Sequence, residues 1–239
     1  MTGIVYFVGA GPGDPDLITV KGLDLLERAD VLIYTGSLVN PALVDLTGAD
    51  IRVDSHGMKL EEMVALMVRH AKEGRRVVRL HSGDPSLYGA IVEQMDLLAD
   101  HDVQTVVVPG VSSLFGAVAA LKTQLTLGGV SETLIVTRPA GATLEKDDIA
   151  ALSKHQATMV IFLGTGKFNE ILSKVQYPPN TPAAVVYHAT WPDEQVILGT
   201  VGNIAKLAED AGITKTALLI IGRVVDTDHP GRRRSVLYS

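Results

Sequence analysis

The 239-residue sequence contains no cysteine. This excludes a disulfide scaffold, a thiolate metal site and a cysteine nucleophile, and it is compatible with a reducing compartment. There is no excess of positive charge either. Lys and Arg number 21 against 27 Asp and Glu, a net charge of −6, which argues against a general nucleic-acid binder. No run reaches the roughly 18 apolar residues of a membrane-spanning helix. The opening segment, Met1-Thr2-Gly3-Ile4-Val5-Tyr6-Phe7-Val8, lacks the basic start of a secretory signal, and its apolar stretch is the size of a strand. The expectation is a soluble, cytoplasmic protein that contacts neither membrane nor nucleic acid. No short repeat and no low-complexity linker interrupts the chain. At 46% hydrophobic and 20% charged, the composition is that of a globular protein with a sizeable core.

What is present is an alternation of short apolar runs with segments of helical period. In the first half, strands are expected at Ile4–Val8, Val31–Tyr34, Ile51–Val53, Val77–Leu80 and Val103–Val108. Helices are expected near Thr19–Ala29, Leu60–Glu73 and Ser86–Ala99. In Leu60–Glu73, Met63, Leu66 and Met67 share one face, while Glu61, Glu62, Arg69 and Lys72 are polar. Strands alternating with helices predict a mostly parallel sheet. After Pro109-Gly110 comes a small, apolar segment, Ser112–Leu121, suited to a buried helix. Strands recur at Thr133–Thr137, Met159–Leu163, Ala183–Tyr187, Gln195–Val201 and Ala217–Ile221. Thr190–Glu194 leaves no room for a helix between two of these, so the second sheet should be mixed. The fold class is α/β, with two α/β domains of similar size, 1–112 and 113–239, the break falling within Pro109–Phe115. A ligand cleft between them is the default expectation.

Three glycine-rich loops each follow a strand: Gly9-Ala10-Gly11-Pro12-Gly13-Asp14-Pro15, His81-Ser82-Gly83-Asp84-Pro85-Ser86-Leu87-Tyr88-Gly89, and Pro109-Gly110-Val111-Ser112-Ser113. The first is not a dinucleotide fingerprint. Its glycines are spaced G-x-G-x-G, Pro12 and Pro15 remove two N–H donors, and the second strand ends in Thr35-Gly36-Ser37 with no carboxylate for a ribose. A phosphate-loop NTPase fails for want of G-K-S/T. Taken alone, the first loop is equally a tight turn. In a parallel sheet, however, all three loops lie at the carboxyl edge, where open α/β sheets bind ligands and where glycine admits close backbone approach.

In combination these loops, with the late Ala217-Leu218-Leu219-Ile220-Ile221-Gly222, resemble the tetrapyrrole (class III) methyltransferases of cobalamin and sirohaem synthesis, and the resemblance spans essentially the whole chain. Four further segments resemble the subgroup that methylates C11 of precorrin-4 or its cobalt form. They are Tyr34-Thr35-Gly36-Ser37-Leu38-Val39, Asp54-Ser55-His56-Gly57-Met58, Thr137-Arg138-Pro139-Ala140-Gly141 and His188-Ala189-Thr190-Trp191-Pro192-Asp193-Glu194. The resemblance implies S-adenosylmethionine as methyl donor, a tetrapyrrole substrate and a homodimer. It implies cofactor contacts at Gly83, Asp84, Pro85, Ser112, Ser113, Leu163, Tyr187, His188 and Ala217. Pro12 and Asp14 would face the tetrapyrrole, and Tyr88 and Arg138 are further substrate candidates. Alternatives are methylation at another ring position, as in uroporphyrinogen III, a same-fold enzyme acting on a macromolecule, or a binding protein without turnover.

Several of these residues have plainer readings. Asp84 is as well placed to cap the following helix, and Asp14 to fix a turn. They are the two carboxylates at this edge and the candidates for a proton acceptor. His56 and His81 read as loop histidines. Neither pairs with a second His at ligand spacing, so no protein-bound metal is expected. Trp191 suits a core anchor as well as a cleft wall. Lys59, Arg79 and Arg138 sit near strand ends or loops, and Arg138 is equally suited to tie its loop to a carboxylate. Arg232-Arg233-Arg234 is a short basic tail, too few charges for a nucleic-acid site.

Overall fold

Strand β1 (Ile4–Gly9) buries Val5, Phe7 and Val8 completely. Apolar side chains on both faces are what a central strand of a parallel sheet requires. The computed structural model describes residues 3–226, 228 and 231–233, and the chain divides after Ser113 into two compact units. In the first unit, α1 (Val20–Glu27), β2 (Val31–Tyr34), α2 (Pro41–Asp45), β3 (Ile51–Asp54), α3 (Leu60–Lys72), β4 (Val77–His81), α4 (Ile91–Ala99) and β5 (Gln104–Val108) follow β1. The five strands form one sheet in the order β3-β2-β4-β1-β5, and every pairing is parallel.

Each face of this sheet carries its own core. Leu25, Leu26, Leu32, Leu43 and Leu80 pack on one side. Phe7, Ile33, Met63, Met67 and Leu98 pack on the other. Each such side chain, fully buried, contributes about 1.5–3 kcal/mol. Thr19 opens α1 by accepting the Gly22 N–H at 3.1 Å, satisfying one of the donors a helix start leaves over. One expectation needs correction. The helix expected from Ser86 begins only at Ile91, because Tyr88 and Ala90 both have left-handed backbones, at φ 59° and 48°.

The second unit contains α5 (Leu114 onward in Ser113–Ala120), β6 (Leu134–Thr137), α6 (Ile149–Leu152), β7 (Thr158–Ile161), α7 (Phe168–Lys174), β8 (Pro182–Tyr187), β9 (Gln195–Thr200), α8 (Ile204–Asp210) and β10 (Ala217–Ile221). Its sheet runs β6-β7-β10-β8-β9. The β6–β7 pair is parallel and the other three are antiparallel, so the sheet is mixed. β8 and β9 form the hairpin expected from the short Thr190–Glu194 connection. α5 buries Leu114, Gly116, Ala117 and Val118 but leaves Phe115 58% exposed, so it is a packed helix with one open flank, not a fully buried one.

Candidate functional site

Strands β4, β1 and β5 are neighbours and parallel, so the three glycine loops leave the same carboxyl edge side by side. They interlock. Gly83 N–H donates to the Gly11 carbonyl at 2.8 Å and Gly11 N–H returns a 3.3 Å bond to Gly83. A Cβ on Gly110 would collide with the Gly83 carbonyl and lie 2.7 Å from the Gly9 Cα. Glycine is therefore needed at Gly9 and Gly110 so that loop can lie on loop. At Gly83 the reason is different: an added Cβ would meet only ordinary contacts from 3.5 Å outward, but the backbone is left-handed at φ 63°. Pro12, Pro85 and Ser112 are buried within this cluster, and Ser113 is half-buried at its margin.

Asp84 ties two of the loops together. Its carboxylate accepts from the Ser86 N–H at 2.8 Å, from the Ser86 hydroxyl, and from the Gly110 N–H at 2.9 Å. Partial burial pushes its pKa up, but these three bonds outweigh that and hold it below the ordinary carboxylate range. Asp84 thus caps the 84–87 turn and not α4, which starts seven residues later at Ile91, and its firm ionisation speaks against a proton-accepting role. Asp14 caps the short 3₁₀ turn Pro15–Leu17 by accepting the Asp16 N–H at 3.0 Å. Tyr88 projects from the loop after β4 and is 40% exposed.

Two basic side chains of β4 are more buried than their readings, a residue near a strand end for Arg79 and a loop histidine for His81. Arg79 lies inside the strand and is 6% exposed. His81 ends the strand and is 9% exposed, against Phe7 at 5.9 Å between ring centroids. Burial lowers the Arg79 pKa to about 10, with Asp54 opposing. Burial, with Arg79 nearby, lowers that of His81 to about 3, so His81 is neutral at pH 7.

The second unit gathers its candidates at one sheet edge too. Because β10 is antiparallel to β7 and β8, its first residue, Ala217, lies beside Tyr187 at the end of β8. Thr165, past the end of β7, brackets Ala217 with bonds of 3.0 and 3.1 Å to its carbonyl and N–H. His188 N–H donates to the Thr216 carbonyl at 3.2 Å. Of nine non-glycine residues with left-handed φ among the described residues, four are here: Leu163, His188, Thr190 and Thr216. Leu163 is 62% exposed as well. Strain of this kind gathers at ligand sites. The His188 ring stacks on Tyr187 at 3.9 Å and lies 5.2 Å from Trp191. Its Nδ1 is 3.0 Å from both Asp193 carboxylate oxygens, and this bond is the main cause of a lowered Asp193 pKa. Trp191 is half-buried against His188, outside the core clusters.

Arg138 follows β6 and folds over its own loop, donating to the Thr143 hydroxyl at 2.7 Å and the Thr143 carbonyl at 3.0 Å. The loop-tying role is thus present, with Thr143 in place of a carboxylate. Among the described residues no group of three His, Asp or Glu is arranged to hold a metal, and no helix is long and apolar enough to cross a membrane. Arg234 and the five residues after it lie outside the described residues. Sequence reading missed Thr165 and the burial of Arg79. The only sign of the latter is a charged residue within the apolar run Val77-Val78-Arg79-Leu80.

An all-parallel sheet with interlocked glycine loops at its carboxyl edge, and a mixed sheet with a strained edge of its own, define an α/β protein of the small-ligand-binding kind. The chain belongs to the tetrapyrrole (corrin/porphyrin) methylases, whose family model matches residues 4–205. It is 49% identical over 228 residues to the cobalt-precorrin-4 C(11)-methyltransferase of Methanocaldococcus jannaschii, covering 93% of this chain and 88% of that one. A solved cobalt precorrin-4 methyltransferase matches with a TM-score of 0.90 and 42% identity, over 93% of this chain and 96% of the other. The uroporphyrin-III C-methyl transferase of Thermus thermophilus, solved with S-adenyl homocysteine, matches with a TM-score of 0.81 and 32% identity, over 93% and 99%.

Proposed function

We propose that this chain transfers a methyl group from S-adenosylmethionine to C11 of precorrin-4 or its cobalt form, within cobalamin biosynthesis. The observation that carries this reading is the 49% identity, over 93% of the chain, to a relative bearing that activity in its name. The second unit's edge fits an adenosine, because Leu163 offers an exposed apolar face beside the backbone of Tyr187, His188 and Ala217. The first unit's edge supplies Gly83, Asp84, Pro85, Ser112 and Ser113 as further cofactor contacts, with Pro12, Asp14 and Tyr88 turned to the tetrapyrrole and Arg138 as a further partner for its carboxylates.

The sulfonium of the donor is already a strong electrophile. The chain's task is then to hold the ring carbon and the methyl about 3–3.5 Å apart and in line. Rigid loops suit that task. The Gly9, Gly83 and Gly110 interlock and the Asp84 tie leave the first edge little freedom to move. We further propose a cytoplasmic homodimer with no protein-bound metal. Light scattering at the 25.4 kDa monomer mass would overturn the dimer. The deciding experiment is incubation with S-adenosylmethionine and precorrin-4, followed by NMR location of the new methyl. A methyl at C11 is expected. Methylation of uroporphyrinogen III in its place would overturn the reading.

A further inference from the structure

Arg79 sits opposite Ile33 in the β2–β4 pairing, yet its Nη2 reaches the Thr35 hydroxyl at 3.4 Å, two residues further along. The side chain therefore runs toward the carboxyl edge, where the glycine loops leave the sheet. Around it the loops after β2 and β3 are tied together. Thr35 and Ser55 hydroxyls meet at 3.2 Å, and Asp54 accepts from Gly36 and His56 N–H at 3.0 and 2.9 Å. Those bonds occupy Oδ1 of Asp54, an exposed residue, and Asp54 makes no ion pair with Arg79 among the described residues. Arg79 is left with one long bond. Its Nε and Nη1 are buried and have no hydrogen-bond partner among the described residues.

A guanidinium in this state is costly. It keeps its charge at neutral pH, and burying an unpaired cation destabilises a fold. His81, two residues on along the same face of β4, is neutral and brings no compensating charge. Asp54, at the exposed end of β3, acts on Arg79 only through space, so the desolvated guanidinium lacks an anion in hydrogen-bond contact among the described residues. We propose that Arg79, with Thr35 and Ser55, is the receiving site for a carboxylate brought by a ligand. This rests on the methyltransferase reading, which offers two sources of that group: an acidic side arm of the tetrapyrrole, or the amino-acid carboxylate of the methyl donor.

The test uses the full-length protein with Arg79→Met and Arg79→Lys. Calorimetry follows S-adenosylhomocysteine and methylthioadenosine, which lacks the amino-acid carboxylate, and steady-state kinetics follows precorrin-4. Removing the buried cation is expected to leave the melting temperature unchanged or raised. One ligand should weaken on the order of 30-fold or more in Arg79→Met, and less in Arg79→Lys. If the partner is the donor carboxylate, S-adenosylhomocysteine weakens and methylthioadenosine does not. If it is the tetrapyrrole, both nucleosides bind as before and the precorrin KM rises. A fall in melting temperature for both variants makes Arg79 structural and overturns the proposal. So do stable variants that bind every ligand normally, the result expected of a guanidinium satisfied by buried water. A wild type that binds S-adenosylhomocysteine but transfers no methyl to precorrin-4 removes the substrate reading alone, and the two nucleosides still decide Arg79.

Discussion

Gly9, Gly83, Gly110 and Gly74 are glycine for different reasons, and substitution separates them. At Gly110 a methyl group would strike backbone of two other loops, which cannot rotate away. Gly110→Ala is expected to cost about 2–3 kcal/mol as overpacking and to abolish methyl transfer. At Gly74 the space is open and only the φ of 80° resists, so Gly74→Ala should cost roughly 1 kcal/mol with activity intact. Urea unfolding of the pair measures the difference, and equal losses would mean that the loops do not interlock. Asp84 has a pH signature. Its folded pKa is depressed, so its stabilising bonds are fully present above the unfolded value of about 3.9 and are lost as pH falls through the lower folded value. Asp84→Asn, which presents a donor where Gly110 N–H needs an acceptor, should cost roughly 1–3 kcal/mol at pH 7. Urea midpoints of the two proteins should then converge in acid. A gap that persists at low pH would show that the carboxylate charge is not what ties the loops.

Helix α4 shows how an element can be delayed by the loop before it. Its N-cap, Ala90, has φ 48° and ψ 41°, a conformation that disfavours any residue with a Cβ. Ala90→Gly removes that strain at a smaller loss in unfolded-chain entropy, for a net gain of roughly 0.5–1 kcal/mol. A higher melting temperature is the expected reading, and a lower one would indicate that the Ala90 methyl makes packing contacts worth more than the strain. The strands were legible in the sequence because most are short runs rich in apolar residues, and several stop at a turn former, as β4 does at Ser82, β5 at Pro109 and β10 at Gly222. The helices were legible only when long. α3, with 13 residues, shows its apolar face, whereas α2, α6, α7 and α8 have 5, 4, 7 and 7 residues. Those lengths are too short for a 3.6-residue period to be read against its flanks. The late start of α4 was hidden for another reason: nothing in Ser86-Leu87-Tyr88-Gly89-Ala90 announces two left-handed residues.

At the scale of the whole molecule, what stayed hidden depends on which strands become neighbours. The three glycine loops were visible along the chain, but their interlock needs the order β4-β1-β5, which places Gly83 and Gly110 on either side of Gly9. Arg79 looked like a strand-end residue until β1 and β2 closed on both sides of β4. Charge, in contrast, was readable from composition, and it carries a prediction. A chain of net charge −6 and a substrate bearing several carboxylates repel each other at long range, while any cation that grips a carboxylate acts only at contact. Salt screens the first effect far more than the second, since the Debye length shrinks from about 30 Å at 0.01 M to about 8 Å at 0.15 M. Across that range kcat/KM for the tetrapyrrole should rise a few-fold, on the order expected when screening relieves a repulsive encounter. The methyl donor carries net positive charge, so its kcat/KM should fall slightly under the same conditions. Stopped-flow or steady-state kinetics against ionic strength measures both. A fall for the tetrapyrrole would mean that a basic surface near the site steers the substrate in and overrides the net charge of the chain.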